Sequence, residues 1–294
     1  MTILAFHGKL KKNTRGIDME PFVLKNQSYL TIESWTKQFP GLSAGITTKR
    51  GGESKGSFET LNLGFHVGDE KSSVCLNREK VAELLEFPLN CWVGAEQTHD
   101  IAVKKITKAD RGKGSNSYEH SFKGTDGFYT NEEGILLTLC FADCVPLFFI
   151  APEKKMIGVA HAGWKGTVGK IANEMIQAWG REGIKPEEII VAIGPSICEK
   201  CYLVDERIIN LVENTLVDKG RLPYNLIEEG QYSLDLRELN RQILLEAEVP
   251  NQNILSTGFC SSCNQEEFFS HRRDQGGTGR MLSFIGWKEI TDRL

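Results

Sequence analysis

GILLTLCFADCVPLFFIAPEKKMIGVAHAGWKG, running from Gly134 to Gly166, decides how this chain folds. Val145 to Ile150 and Met156 to Ala160 are apolar runs of strand length, joined only by APEKK. A parallel crossover needs about a dozen or more residues, so these runs must form an antiparallel hairpin. Ile135 to Ala151 is the longest apolar stretch, but Asp143 and Pro146 at its centre are poorly tolerated by a bilayer helix, and it reads as two buried strands. Cys144 then starts one arm and His161 ends the other, so both lie at the same end of the hairpin.

Outward from this segment, further strand-like runs cover Ala44 to Thr48, Trp92 to Ala95, Ile101 to Ile106, Gly134 to Cys140, Ile189 to Ile193 and Met281 to Ile285. Helical spacing of apolar residues predicts helices over Ser72 to Leu85, Val168 to Trp179, Glu206 to Leu216 and Leu236 to Leu245. A hairpin within this mixture makes the sheet mixed, so the fold class is α+β (mixed α/β) rather than doubly wound. No repeat, low-complexity tract or Pro-rich linker interrupts the 294 residues. One domain over 1–294 is expected, with residues 1–40 set apart as an N-terminal extension. Lys108 to Lys123, polar and containing Gly and Ser, comes closest to a flexible insert.

Lys and Arg number 35 against 39 Asp and Glu, a net charge of -4 that offers no basic field for phosphate backbones or anionic lipid, so neither nucleic acid nor membrane is an expected partner. The apolar run in MTILAFHGKLKKNTRG is too short for a secretory core or an anchor, which points to the cytoplasm. In that reducing compartment the eight cysteines are expected as thiols or metal ligands rather than a disulfide framework.

Cys144, His161 and, upstream in AEQTHD, His99 offer one thiolate and two imidazoles, with a carboxylate nearby at Asp143. That set suits a three-ligand zinc site with a free position. Taken singly, each has a plainer reading: a buried thiol, a core histidine bonded to backbone, a loop histidine. Of the other imidazoles, His7, His66, His120 and His271, the Gly-bounded His66 is placed behind the ligands. HAGWKG reads as a strand-to-helix turn whose amides, with Lys165, could hold an anion. SHRRDQGGTGR concentrates arginines among turn residues, either a solvated loop or an anion clamp. Cys198 and Cys201, with Cys260 and Cys263, have the residue types of a structural zinc site, but the 58 residues between the pairs far exceed a compact zinc ribbon, and the expectation weighs against it. Neither pair clearly opens a helix, which weighs further against a redox role.

Together AEQTHD, CFADCVP, HAGWKG, GPSICEKCY and FFSHRRDQGGTGR resemble the YlmD/YfiH laccase-domain family, bacterial relatives of the so-called polyphenol oxidases, from about Leu61 to the end of the chain. The resemblance implies a sandwich of mixed sheets flanked by helices, and zinc held by His99, Cys144 and His161. It also implies purine nucleoside phosphorolysis of adenosine, inosine or methylthioadenosine, giving free base and ribose 1-phosphate, with adenosine deamination alongside. Within that picture Asp143 would shuttle protons, Lys165 and Arg272 would position phosphate, and Asn62 or Gln97 would bond sugar or base. The second CxxC pair reads as a variable embellishment. Rival readings are a metal-free hydrolase with Cys144 as nucleophile and His161 as base, and peptidoglycan-precursor editing by the same centre. A third, copper-dependent phenol oxidation, is disfavoured because six scattered histidines, with no His-x-His pair, cannot supply several coppers. The preferred nucleoside, native metal and oligomeric state are not legible in the sequence.

Overall fold

At the centre of the computed structural model, which describes residues 20–217 and 220–289, stands the hairpin expected from the sequence. Strand β8 (Val145–Ala151) pairs antiparallel with β9 (Met156–Ala162), setting Leu147 opposite Ala160 and Pro146 opposite His161. Both arms are buried throughout because successive side chains enter different cores. Val145, Leu147 and Phe149 pack on the helical side, whereas Phe148 and Ile150 face a second sheet.

The hairpin lies within a six-stranded sheet ordered β14 (Ile254–Ser256), β10 (Ile190–Ile193), β8, β9, β6 (Gly127–Thr130) and β5 (Val103–Lys105). Facing it is a sheet ordered β1 (Phe22–Asn26), β2 (Tyr29–Ile32), β3 (Leu42–Thr47), β15 (Met281–Trp287), β7 (Leu136–Phe141) and β4 (Trp92–Val93). A small third sheet orders β11 (Leu203–Asp205), β13 (Gln231–Leu234) and β12 (Tyr224–Glu228). Parallel pairs β4–β7, β5–β6 and β10–β14 sit among antiparallel neighbours, so the sheets are mixed and the class is α+β.

Between the large sheets lie Phe22, Ile46, Leu139, Phe141, Phe148 and Val159. Of the helices, α1 (Glu33–Gln38) follows β2 and α2 (Lys71–Leu85) covers the outer face of the β1 sheet through Val81 and Leu85. Beyond the hairpin come α3 (Trp164–Val168), α4 (Ile171–Arg181), α5 (Glu206–Thr215) and α6 (Leu236–Glu246). Ile171, Ala172, Met175, Ile176 and Trp179 make one buried stripe on α4, the spacing a helix needs to cover a sheet. Asp205 and Asp235 cap α5 and α6 by accepting first-turn amides. Among the described residues no helix is long and apolar enough to cross a membrane.

Three expectations need correction. The single helix over Val168 to Trp179 is broken at Gly169 and Lys170: Lys170 adopts φ 64° and the chain starts a new helix at Ile171. Residues 22–38, set apart in an extension, are two strands and a helix of the facing sheet, with Phe22 and Leu30 in its core. Lys108 to Lys123 is not loose, because Arg78 on α2 ties it down. Arg78 is 4% exposed; its Nε and Nη2 reach the Leu63 carbonyl at 2.9 and 2.7 Å, and its Nη1 reaches the Gly114 and Ser115 carbonyls at 2.8 and 2.9 Å. Phe122, at the far end of the segment, is buried against Phe128.

Replacing Arg78 by Met leaves those three carbonyls without their buried donor. We expect R78M to lose about 2–4 kcal/mol of stability in urea unfolding, and the segment around Gly114 to become the first site of proteolytic cleavage. A loss below about 1 kcal/mol would show that the carbonyls find other partners.

Candidate metal centre

Three chain segments deliver the donors to the end of the hairpin. Cys144 stands in the bend between β7 and β8, His161 is the penultimate residue of β9, and His99 lies in the loop before β5. One ring nitrogen from each histidine and Cys144 Sγ all lie within 4.8 Å of one another. The two imidazoles meet edge to face with centroids 4.7 Å apart, and Phe141 packs 5.3 Å from His161 on its other side. Gly163 leaves room for the donors: a Cβ there would sit tightly, 3.0 Å from both Cys144 Sγ and His99 Cδ2.

The residue that brings the histidines together is Asp126, which the sequence reading did not single out. It is fully buried just before β6, where the pairing of Gly127 with Ala160 sets it beside His161. Its Oδ1 accepts His161 Nδ1–H at 2.8 Å and the His99 amide at 3.0 Å. Its Oδ2 accepts the Thr98 and Asp100 amides, each at 3.0 Å, and the Thr98 hydroxyl at 3.2 Å. The first of these bonds leaves His161 Nε2 as the nitrogen free to ligate; the amide bonds hold His99 at φ 61°. No local sequence pattern marks Asp126, since its partners come from a strand pairing across the fold.

All three donors line a pocket of about 380 Å³ that also exposes Gln97, Asp143, Trp164, Tyr202, Arg272 and Arg280. Asp143 is held at φ 88°, with Oδ1 accepting the Ser261 hydroxyl at 2.6 Å and Oδ2 the Arg272 amide at 2.7 Å. It therefore fixes the loop carrying Arg272. The Arg272 guanidinium lies 4.9 Å from the Tyr202 ring centre and donates to the Leu203 carbonyl. Gln97 reaches the pocket but clamps the Cys140 backbone, Nε2 to its carbonyl at 2.9 Å and Oε1 from its amide at 2.7 Å.

Two expected substrate ligands lie off the pocket wall. Asn62 is wholly buried outside the pocket: its Nδ2 bonds Asp69 and the Gly64 carbonyl, and its Oδ1 takes the amides of Gly64 and Arg280. It holds the Arg280 backbone from behind the pocket wall. Lys165 is exposed on the five-residue α3, its ammonium 5.6 Å from the Trp164 ring centre, and is no part of the pocket wall. Arg280 takes that cationic place; its Nη1 is anchored on the Thr278 and Gly279 carbonyls. The arginine-rich loop was visible in the sequence, but not which of its guanidiniums would face inward.

Comparison with known proteins identifies the family. Residues 43–288 match the family model described as multi-copper polyphenol oxidoreductase laccase. The chain belongs to that family. Among its members, the chain is similar to purine nucleoside phosphorylase YlmD of Geobacillus stearothermophilus, 52% identical over 92% of this chain and 98% of the relative. The Bacillus subtilis protein of that name is 48% identical over the same shares. The crystal structure of the Geobacillus stearothermophilus YlmD superposes with a TM-score of 0.90 at 49% identity, covering 92% of this chain and all of that one. A Bacillus licheniformis hypothetical protein, YfiH, gives 0.88 at 46%, covering 91% and 99%.

In this laccase-family chain the donor chemistry suits a borderline-soft divalent ion. Burial alone pushes the Cys144 thiol up, but His161 and His99 outweigh it and hold the thiol at about 6. Burial would likewise lower His161, yet Cys144 and Asp126 raise it to about 9. Both shifts favour the thiolate–imidazolium form of the pair. A cation replacing the imidazolium proton keeps the charge pattern, and a thiolate with two imidazoles at this spacing fits zinc.

Exchange of Asp126 for Asn is expected to weaken zinc binding about 10–100-fold by calorimetry while leaving far-UV circular dichroism unchanged; unchanged affinity would show that the carboxylate does not orient His161. A second expectation concerns His66, an exposed residue lining the pocket, whose pKa is lowered from 6.5 to about 4 by partial desolvation and then by the charges of Arg280 and Arg78. The unfolded chain takes up this proton below about 6.5 and the folded chain does not until about 4, so this group removes stability as pH falls through that window. An NMR titration of the His66 ring with a midpoint near 4 is expected; one near 6.5 would contradict the assignment.

Proposed function

We propose that this protein is a zinc-dependent purine nucleoside phosphorylase, converting adenosine, inosine or methylthioadenosine and phosphate into free base and ribose 1-phosphate, with adenosine deaminase activity at the same centre. The observation that carries the proposal is the meeting of His99, Cys144 and His161 on a pocket wall shared with Arg272 and Arg280. It is supported by relatives named purine nucleoside phosphorylase that match over nine-tenths of the chain.

Phosphorolysis breaks the bond between C1′ and the purine nitrogen and joins C1′ to a phosphate oxygen, so the site must gather an anion beside a flat heterocycle. Arg272 and Arg280 supply guanidinium forks that match phosphate geometry. Trp164 and Tyr202 offer aromatic surface for the base. Burial, followed by the charges of Cys144 and Asp143, raises the Tyr202 hydroxyl so that it stays a hydrogen-bond donor. Asp143, already accepting from Ser261 and Arg272, sets the reach of Arg272 and is the pocket carboxylate for proton transfer in deamination. Zinc on the three donors would supply Lewis-acid polarisation of a substrate oxygen.

One observation favours a second reading. The depressed Cys144 thiol beside a raised His161 has the character of a nucleophile with its base, as a metal-free hydrolase would use, whether on small molecules or on a peptidoglycan precursor. Multicopper phenol oxidation, named in the family's description, draws on clusters of imidazoles, and at this donor group only two meet.

Incubating metal-assayed protein with adenosine, with and without phosphate, separates these readings by chromatography of the products. We expect adenine and ribose 1-phosphate only when phosphate is present, inosine in both tubes, and a fall of about 100-fold or more on chelation or in His161→Ala. No product in either tube rejects the proposal. Turnover that survives chelation but stops on alkylation of Cys144 transfers the activity to the thiol.

A further inference from the structure

A second group of sulfurs meets outside the pocket. Cys198 and Cys201 lie between β10 and β11, Cys260 and Cys263 in the turn after β14. The fold removes the long sequence separation that had weighed against a shared site. β10 and β14 run parallel, with Ile193 opposite Ser256, so both chains leave the sheet at the same end. A bridge between Ser196 and Cys260 continues the pairing beyond the strands, with the Ser261 amide donating to the Ser196 carbonyl at 3.0 Å.

All four Sγ atoms lie within 4.8 Å of one another; Cys201 and Cys263 are 3.4 Å apart, Cys198 and Cys263 3.9 Å. Four sulfurs arranged tetrahedrally around zinc at about 2.3 Å have edges of about 3.8 Å. A disulfide requires about 2.05 Å. The observed separations are those of co-ligands. Two backbone amides also aim at one sulfur: Cys198 N and Cys263 N donate to Cys260 Sγ at 3.2 and 3.3 Å, an arrangement that favours a thiolate. Asn264 holds the turn that presents Cys260 and Cys263, its Oδ1 accepting the Cys260 amide at 3.0 Å.

We propose that Cys198, Cys201, Cys260 and Cys263 bind a second zinc ion in a closed tetrathiolate centre. Four protein ligands leave no open coordination position, so this ion is structural and not reactive. Its place in the chain says what it steadies. Between Cys260 and Cys263, Ser261 bonds Asp143, and the Ser261 and Ser262 carbonyls accept Arg273 Nη1 at 3.0 and 3.2 Å. Immediately after Cys201 comes Tyr202, on the pocket wall. The ion therefore joins the two loops that carry Tyr202 and support Arg272, and it belongs to the fold whatever reaction the pocket performs.

The test is elemental analysis of exhaustively dialysed protein, comparing wild type with the double variant Cys198→Ser, Cys263→Ser and with the double variant His99→Ala, His161→Ala. We expect two zinc ions per wild-type chain and one in each variant. A wild-type count of one that falls to zero in the cysteine variant also supports the tetrathiolate centre, while removing the pocket metal. Equal counts in wild type and the cysteine variant overturn it, as does iron in place of zinc. Should the cysteine variant not fold, wild type still decides. Cys263, exposed in the chain, must resist iodoacetamide until zinc is extracted by a mercurial reagent, and mass spectrometry without reduction must find all four thiols free. Immediate alkylation of Cys263, or disulfides among the four, rejects the centre.

Discussion

The site depends on one buried carboxylate. An ionised Asp126 away from water is tolerable only because its hydrogen-bonding capacity is filled, by three successive amides, a hydroxyl and an imidazole. Burial alone would raise its pKa; His161 and the amides of Asp100 and Thr98 hold it below the ordinary carboxylate value instead. The same bonds that keep the charge stable join the loop of His99 to the strand of His161. Two candidate donors from distant parts of the chain thereby acquire a common orientation, and the third, Cys144, follows from the hairpin register.

The surrounding scaffold turns that local arrangement into a rigid one. Layers of helix, sheet, sheet and helix bury β8 and β9 on both faces, so the end of the hairpin cannot shift without disturbing two cores. Site residues with positive φ are each held by hydrogen bonds, His99 to the buried Asp126 and Asp143 to the Arg272 amide. Gly163 supplies the space into which the donors converge. The cationic wall is built the same way: Arg280 rests on its own loop carbonyls, and Asn62 holds its backbone from behind.

What could be read from the sequence follows the range of each interaction. The hairpin was legible because a five-residue connection permits one topology, and with it the nearness of Cys144 and His161. Helices α2, α5 and α6 were legible within a residue or two because their buried positions repeat locally. Strands β1, β2, β6, β11, β12, β13 and β14 were missed; in β1 and β12, FVLKN and YNLIE carry mostly exposed or half-exposed side chains, and only pairing with neighbours makes them strands. Asn62 and Lys165 carry suitable chemistry near the right motifs, but residue type does not tell which way a side chain turns. Asp126 and the meeting of the four cysteines depend on strand pairs between distant segments, β6 with β9 and β10 with β14, which local patterns do not reveal.

Family membership and the shared fold give the likeness to proteins named purine nucleoside phosphorylase its weight. The most direct measurement is an anomalous difference map collected at the zinc absorption edge from a crystal of the protein. The expected result is a peak within about 2.0–2.3 Å of Cys144 Sγ, His161 Nε2 and a His99 ring nitrogen, with Asp126 still on His161 Nδ1. A map with no peak among those donors, in zinc-replete protein and with the Cys144 thiol bonded directly to His161, would contradict it.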